Sequence, residues 1–544
     1  MKKILVLLVF LVGITALLYH NNINKIAPIE IKNLPTNSTC LLLPLDSRPP
    51  CLDFTEELAH LAGIKTVVPP NALLDSKERP AASGELQNWV RTNAPTVDNV
   101  LLATDLLNYG GLLQSRLAPL PATKANATLG LLEHLRQAYP TQGLYAYSIV
   151  PRLLVSDNLI PDRWYQWHLM RFSIMEAKRL QGLPYDTEDY AEKLQEIPPD
   201  IKAKYDAIYI HNQDFNNKLI GLAARENFAS LIIGQDDTQK YSLSNYNLLS
   251  AQEVINKTGR ANFYTTQGAD EIGLISVANM LNHQLGYRPQ VYVAFGQDRM
   301  RDLVLHFVSS SLEDIVQDKI RILGGSITDD ITAADFVLFV HCGDDDIHDY
   351  TAIAAQVKEY MQQHKVALVD LSKNYQSDES LLPYLLANNT PLVQLAAYAG
   401  WNSASNAIGT ALAQADIFTG RLATIQEEDK PSFYAANLRF NLARFLDDWS
   451  YQRLIRHKIA QLEEFNGIST TNTAPHTKLI EQYINRELQL YSKLLLITNL
   501  RRHPFYQNDQ DSFYLTDLEY RLTLPWERTF EINLKVYPQF GKLI

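Results

Sequence analysis

Short apolar runs alternate with longer amphipathic stretches from about residue 39 onward. Val/Ile/Leu-rich runs predict strands at 40–45, 65–68, 99–103, 144–150, 231–234 and 262–266. The stretches between them carry helical periodicity at 85–92, 128–138, 164–180 and 269–284. This βαβα order predicts an α/β protein. Its main domain, 39–288, is expected to be a parallel (β/α) barrel-like or open sheet. A Tyr-, Trp-, Arg- and Asp-rich stretch at about 161–225 breaks the strand rhythm and is expected to be a helical insertion that could cap a pocket.

A second βα series follows Pro289, with strands expected at 290–295, 336–341, 366–371 and 392–396 and a helix at 351–364. It predicts a smaller, flavodoxin-like α/β domain at 289–418. That domain has neither a GxGxxG nor a Walker A phosphate loop, so no motif calls for a nucleotide cofactor. The remainder, 419–544, is expected to be helical through 433–456 and 478–500 and to close on an alternating strand at 526–536.

Five of the apolar runs end in polar, mostly charged residues. They are PLDSRP at 44–49, TDLLNYGGLLQSR at 104–116, Pro151–Arg152, QDD at 235–237 and QGADE at 267–271. Parallel α/β folds bind ligands at the carboxyl ends of their strands. Polar residues repeated at that one place point to an enzyme-like pocket.

Charge and leader change this picture in two ways. The net charge is −11, with no Lys/Arg run, which argues against a nucleic-acid partner. At the N-terminus, Lys2 and Lys3 precede an apolar segment, 4–18, in the design of an export signal. Residues 1–20 are expected to be a signal peptide or uncleaved anchor and 21–38 a linker. The globular part would then lie outside the cytoplasm, with the membrane met only through this segment. Three cysteines exclude a disulfide-built scaffold; Cys40 and Cys51 flank the first cluster and are either a pair or plain buried thiols.

Each chemical candidate has a structural alternative. Asp236 and Asp237 are adjacent carboxylates that would push their pKa values apart, as glycoside hydrolysis requires; they would equally suit a helix N-cap with a solvated neighbour. Asp105, ahead of Asn108, Tyr109, Gly110 and Gly111, is a base, a sugar-hydroxyl acceptor or an N-cap. Arg48, Arg116 and Arg152 would hold an anionic substrate or make ion pairs with Asp46, Asp105 or Asp236. Asp270 and Glu271 contact substrate or occupy a first helical turn. Trp401, beside Asn402, stacks on a sugar or packs internally. The run HCGDDDIHDY at 341–350 holds His341, Cys342, Asp344, Asp345, Asp346, His348 and Asp349, a set a metal could use, although its spacing matches neither HExxH nor an EF-hand. No GxSxG elbow occurs.

PLDSRP, TDLLNYGGLLQSR, LIIGQDD, QGADE and AAYAGWNSASNAIGTALAQ, with the closing LPWERTFEI, resemble the bacterial domain-of-unknown-function family 4127. The matching positions are Asp46, Ser47, Arg48, Asp105, Tyr109, Gly110, Gly111, Ser115, Arg116, Asp236, Asp237, Gly268, Asp270, Glu271, Trp401 and Asn402. The resemblance brings no catalytic role with it. The 341–350 run and the leader lie outside its pattern. The expected function is an extracytoplasmic hydrolase of carbohydrate, such as amino-sugar or cell-wall glycans. Asp236, Asp237 and Asp105 would be catalytic, and Asp46, Arg48, Asn108, Tyr109, Arg116, Arg152, Asp270, Glu271, Trp401 and Asn402 would bind substrate. A metal-dependent hydrolase and a membrane-tethered glycan-binding protein are the alternatives.

Overall fold

The computed structural model describes residues 26–154, 163–347 and 349–544. The export segment lies outside the described residues. Among the described residues, no helix is long and apolar enough to cross a membrane.

The chain forms two compact bodies. One comprises Pro35–Val340 and Trp401–Gly420; the other comprises the described residues up to Leu34 with His341–Gly400 and Arg421–Ile544. The first body is built on six parallel strands: β1 (Ser38–Leu43), β2 (Ile64–Val67), β3 (Asn99–Ala103), β4 (Gly143–Val150), β5 (Ser230–Gln235) and β6 (Phe263–Thr265). Their order is β2-β1-β3-β4-β5-β6, all pairings parallel, so the sheet is open and not a barrel. Helices cover both faces of such a sheet, which is why β3 and β5 are buried along their whole length and read as unbroken apolar runs. After β2 the chain crosses back over β1 to lay down β3. The gap between the carboxyl ends of β1 and β3 is therefore the topological switch point, the usual ligand crevice.

The expected insertion is three helices, Arg163–Leu180, Thr187–Glu196 and Pro199–Arg225, between β4 and β5. Leu169, Phe172, Ile197, Tyr205, Ile208 and Tyr209 bury one another together with Leu243. Tyr205 and Tyr209 donate their hydroxyls to the Leu153 carbonyl, both at 3.0 Å, and Tyr209 also to that of Arg152 at 2.8 Å. The insertion is thus fastened to the chain as it leaves β4.

The second βα series contains Gln290–Phe295, which pairs in parallel with Ser326–Ile327 and with Phe336–Val340. Val366–Ser372 pairs in parallel with Ala397–Ala399. The strand expected at 392–396 is instead a 3-10 turn, Leu392–Gln394, and the strand comes later. An apolar run of that length has no readable period.

The C-terminal region forms both expected helical stretches and holds more strand than expected. An α-helix, Lys430–Arg444, continues as a π-helix, Phe445–Ile455. The chain then closes on antiparallel strands Pro504–Gln507, Ser512–Thr523 and Asn533–Leu543. The alternation at 526–536 begins as a 3-10 turn, Pro525–Glu527, because Pro525 has no N–H to give a ladder and Trp526 adopts φ 57°. The fourth strand of this sheet, Ile26–Ile29, comes from the stretch read as linker and pairs with the last strand, Ile26 opposite Leu543.

Candidate active site

Because the six strands run the same way, the segments that follow them emerge along one edge. Asp46, just past β1, is fully buried and accepts from Arg48: backbone N at 3.1 Å, Nε at 2.9 Å and Nη2 at 2.7 Å. The same Nη2 reaches Asp270 Oδ1, past β6, at 2.7 Å. One guanidinium thereby ties the β1 exit to the β6 exit. Past β5, Asp236 is gripped by Arg116, Nε to Oδ2 at 2.7 Å and Nη2 to Oδ1 at 2.8 Å. This is the fork-to-carboxylate geometry that fixes orientation as well as charge.

Past β3, a single helical turn, Thr104–Asn108, buries Asp105 completely. Its Oδ2 accepts from Ile149 N at 3.0 Å, while Oδ1 is buried with no hydrogen-bond partner among the described residues. Both amide atoms of buried Asn108 are likewise unpartnered among those residues. Tyr109 is buried, and its hydroxyl accepts from Asn212 at 3.4 Å. Gly111 adopts φ +128°, and a Cβ there would stand 2.5 Å from Asp75 Oδ2, so the turn requires glycine.

Asp237 is half-buried; its carboxyl makes no hydrogen bond or ion pair among the described residues, while its carbonyl accepts from Leu153 N at 2.9 Å. Burial, then the charge of Asp236, raises its pKa to about 7 against the pull of Arg116 and Arg152. Arg152 is half-buried and donates Nε to the Leu154 carbonyl. Asp105 is also pushed up to about 7, by burial first and by Asp236 in part. Burial and the charge of Asp46 raise Asp75 to about 8.

The rim therefore holds two kinds of acid. Asp46, Asp236 and Asp270 are committed to arginines. Asp105 and Asp237 are held near neutrality with oxygens to spare. Shifts of this kind in a strand-end crevice mark candidate acid/base groups.

Three expected residues stand apart. Glu271 turns inward and pairs with Lys319 at 2.5 Å, both side chains fully buried. Trp401 is buried and Asn402 half-buried at φ 61°. From their segment Ser405 reaches the rim, donating to the Gln267 carbonyl at 2.6 Å and to Glu271 Oε1 at 2.8 Å. A Cβ on Gly268, at φ +92°, would fall 2.0 Å from that Oε1 and 2.5 Å from Ser405 Oγ. Gly268→Ala should therefore cost about 1–3 kcal/mol in thermal or urea unfolding; a neutral result would mean the turn relaxes freely.

Asp75 was not among the expected residues. It accepts from Ser47 N at 2.8 Å, and Ser47 Oγ donates to its carbonyl at 2.8 Å. Its signal was present in NALLDSKERP, a charged cluster after the β2 run like the five others. Cys40 and Cys51 are separate buried thiols.

The 341–350 run belongs to the second body. His341 is buried, with Nε2 3.4 Å from the Glu379 carbonyl; Asp344 accepts from Asp346 N at 3.0 Å; Asp349 caps the helix Tyr350–Met361 through Ala352 N at 2.9 Å. His348 lies outside the described residues. Among the described residues, no three His, Cys, Asp or Glu side chains gather as a metal group.

An open parallel sheet with acids and arginines meeting along its carboxyl edge defines a doubly wound α/β protein. The chain belongs to the family described as protein of unknown function DUF4127, whose model matches residues 40–535. No curated protein matches it.

Proposed function

We propose that this protein is a carbohydrate-acting hydrolase working outside the cytoplasm by acid/base catalysis, with Asp237 as general acid and Asp105 as the complementary base. One observation carries the reading. Two carboxyls past strands of one sheet edge sit near pKa 7 without full hydrogen bonding, and Asp236 bears on both. Protonated Asp237 would give its proton to the leaving glycosidic oxygen. Ionised Asp105 would take one from the attacking water, which requires substrate binding to uncover its buried Oδ1. Asp236, fixed by Arg116, is the orienting carboxylate.

The charge balance favours a neutral, hydroxyl-rich substrate. Arg48 and Arg116 are already matched by Asp46, Asp270 and Asp236, so the rim offers acceptors for hydroxyls more than cations for acids. The extracytoplasmic placement rests on Lys2, Lys3 and the apolar segment after them.

The test is a panel of chromogenic glycosides and cell-wall glycan fragments. Turnover should peak near neutral pH and fall on both sides. Asp237→Asn should lower kcat by about 10²–10⁴-fold. Full activity in both Asp237→Asn and Asp105→Asn would end the proposal, as would tight glycan binding with no turnover across the panel.

A further inference from the structure

The second body contains a cation that its own carboxylates leave unmatched. Arg453 lies on the π-helix Phe445–Ile455 and is 8% exposed. Among the described residues its one hydrogen bond runs from Nη2 to the Gly400 carbonyl at 3.1 Å, and no carboxylate lies within ion-pairing distance. Leaving a guanidinium nearly buried and unpaired is costly, and proteins ordinarily match such a charge.

The nearby acids are occupied elsewhere. Asp448 gives Oδ1 to Arg444 at 2.6 Å and Oδ2 to Gly400 N at 2.8 Å. Asp370 accepts from Ser380 Oγ at 2.7 Å and from Leu381 N at 2.9 Å. Glu379 is taken by Ser372 and by Asn374, whose Nδ2 lies 2.7 Å away.

The surroundings have the marks of a site. Gly400 follows the strand Ala397–Ala399, and Asp370 lies near the end of Val366–Ser372, so the group stands at the carboxyl end of parallel strands. The π-helix is a rare conformation found often at functional positions. The half-exposed ring of Tyr375 lies 5.7 Å from the guanidinium, and Tyr375 itself holds a left-handed φ of 57°. A non-glycine residue in that region stores strain, as ligand clamps do.

We infer that Arg453, roofed by Tyr375 at the strand ends of the second body, binds the anionic group of a small ligand, a carboxylate or a phosphate. The fork of the guanidinium left free by Gly400 suits bidentate contact with either. The inference is independent of the acid/base reading of the first body.

The full chain should be titrated with inorganic phosphate and, separately, with a dicarboxylate such as malonate, at matched ionic strength. Binding is followed by thermal shift and by equilibrium dialysis of labelled probe. Millimolar anion should raise Tm over a chloride control, and the better probe identifies the class. Arg453→Lys keeps the charge but loses the fork, and should weaken binding roughly tenfold or more. Tyr375→Ala, at a half-exposed position, should also weaken it while remaining folded. No binding of either anion to the wild-type chain overturns the inference. So does unchanged affinity in both variants, or in Tyr375→Ala alone should Arg453→Lys fail to fold.

Discussion

Lys319→Met should lower the unfolding free energy of the body that contains it by about 3–5 kcal/mol, the usual result of stranding one member of a buried ion pair. Lys319 is fully buried, and its ammonium reaches Glu271 Oε1 at 2.5 Å and the Gln267 carbonyl at 2.6 Å. Removing it leaves an uncompensated carboxylate in the segment past β6, where Glu271 Oε2 already lacks a partner among the described residues. The double variant Lys319→Met with Glu271→Leu should recover most of the loss, since replacing a whole buried pair by apolar residues is often close to neutral. Urea titration of the wild type, both single variants and the double variant measures the coupling. A single-variant loss under about 1 kcal/mol would show that water reaches the pair.

Asp105→Asn should make the pH–stability curve cross that of the wild type. Asp105 ionises near pH 3.8 in the unfolded chain and near 7 when folded, chiefly because it is buried. Between these values the folded state holds the extra proton, so wild-type stability falls as pH rises through that window. Above it the buried charge costs up to about 4 kcal/mol. Asparagine imitates the protonated acid and escapes that cost, but buries an amide N–H pair facing the unpartnered Oδ1 position, a penalty of about 1–3 kcal/mol. The variant should be weaker near about pH 3, below both pKa values, and stronger near about pH 9. Parallel curves in denaturant would show that Asp105 ionises freely in the folded protein. Under the proposed chemistry the same substitution removes the base, so stability at high pH and turnover should move in opposite directions.

The sheet was legible because its strands are buried on both faces. All six apolar runs became strands, and the polar clusters behind them reached one edge, since parallel strands leave no other place. The sequence did not show which acids would be neutralised. Asp236 and Asp237 are neighbours in QDD, yet one is clamped by Arg116 from across the sheet and the other is not. The partner is 120 residues away, and only the fold brings it close. Glu271 resembled the acids beside it until Lys319 arrived from a distant helix. The C-terminal strands escaped notice because their faces alternate over segments broken by Pro504, Pro525 and Pro538, with bulges that interrupt the period. The Ile26–Ile29 strand is four residues long and gains its meaning from a partner at the far end of the chain.

That last pairing has a practical corollary. Ile26 and Leu543 face each other across a ladder, which sets them about 5 Å apart. In a variant that starts at Ile26, a few glycine and serine residues would bridge them. New chain ends could then be cut into an exposed turn, such as that at Asn508–Asp511, without parting either strand from its neighbour. A fluorescent or affinity module fused at the new opening would sit on the antiparallel sheet.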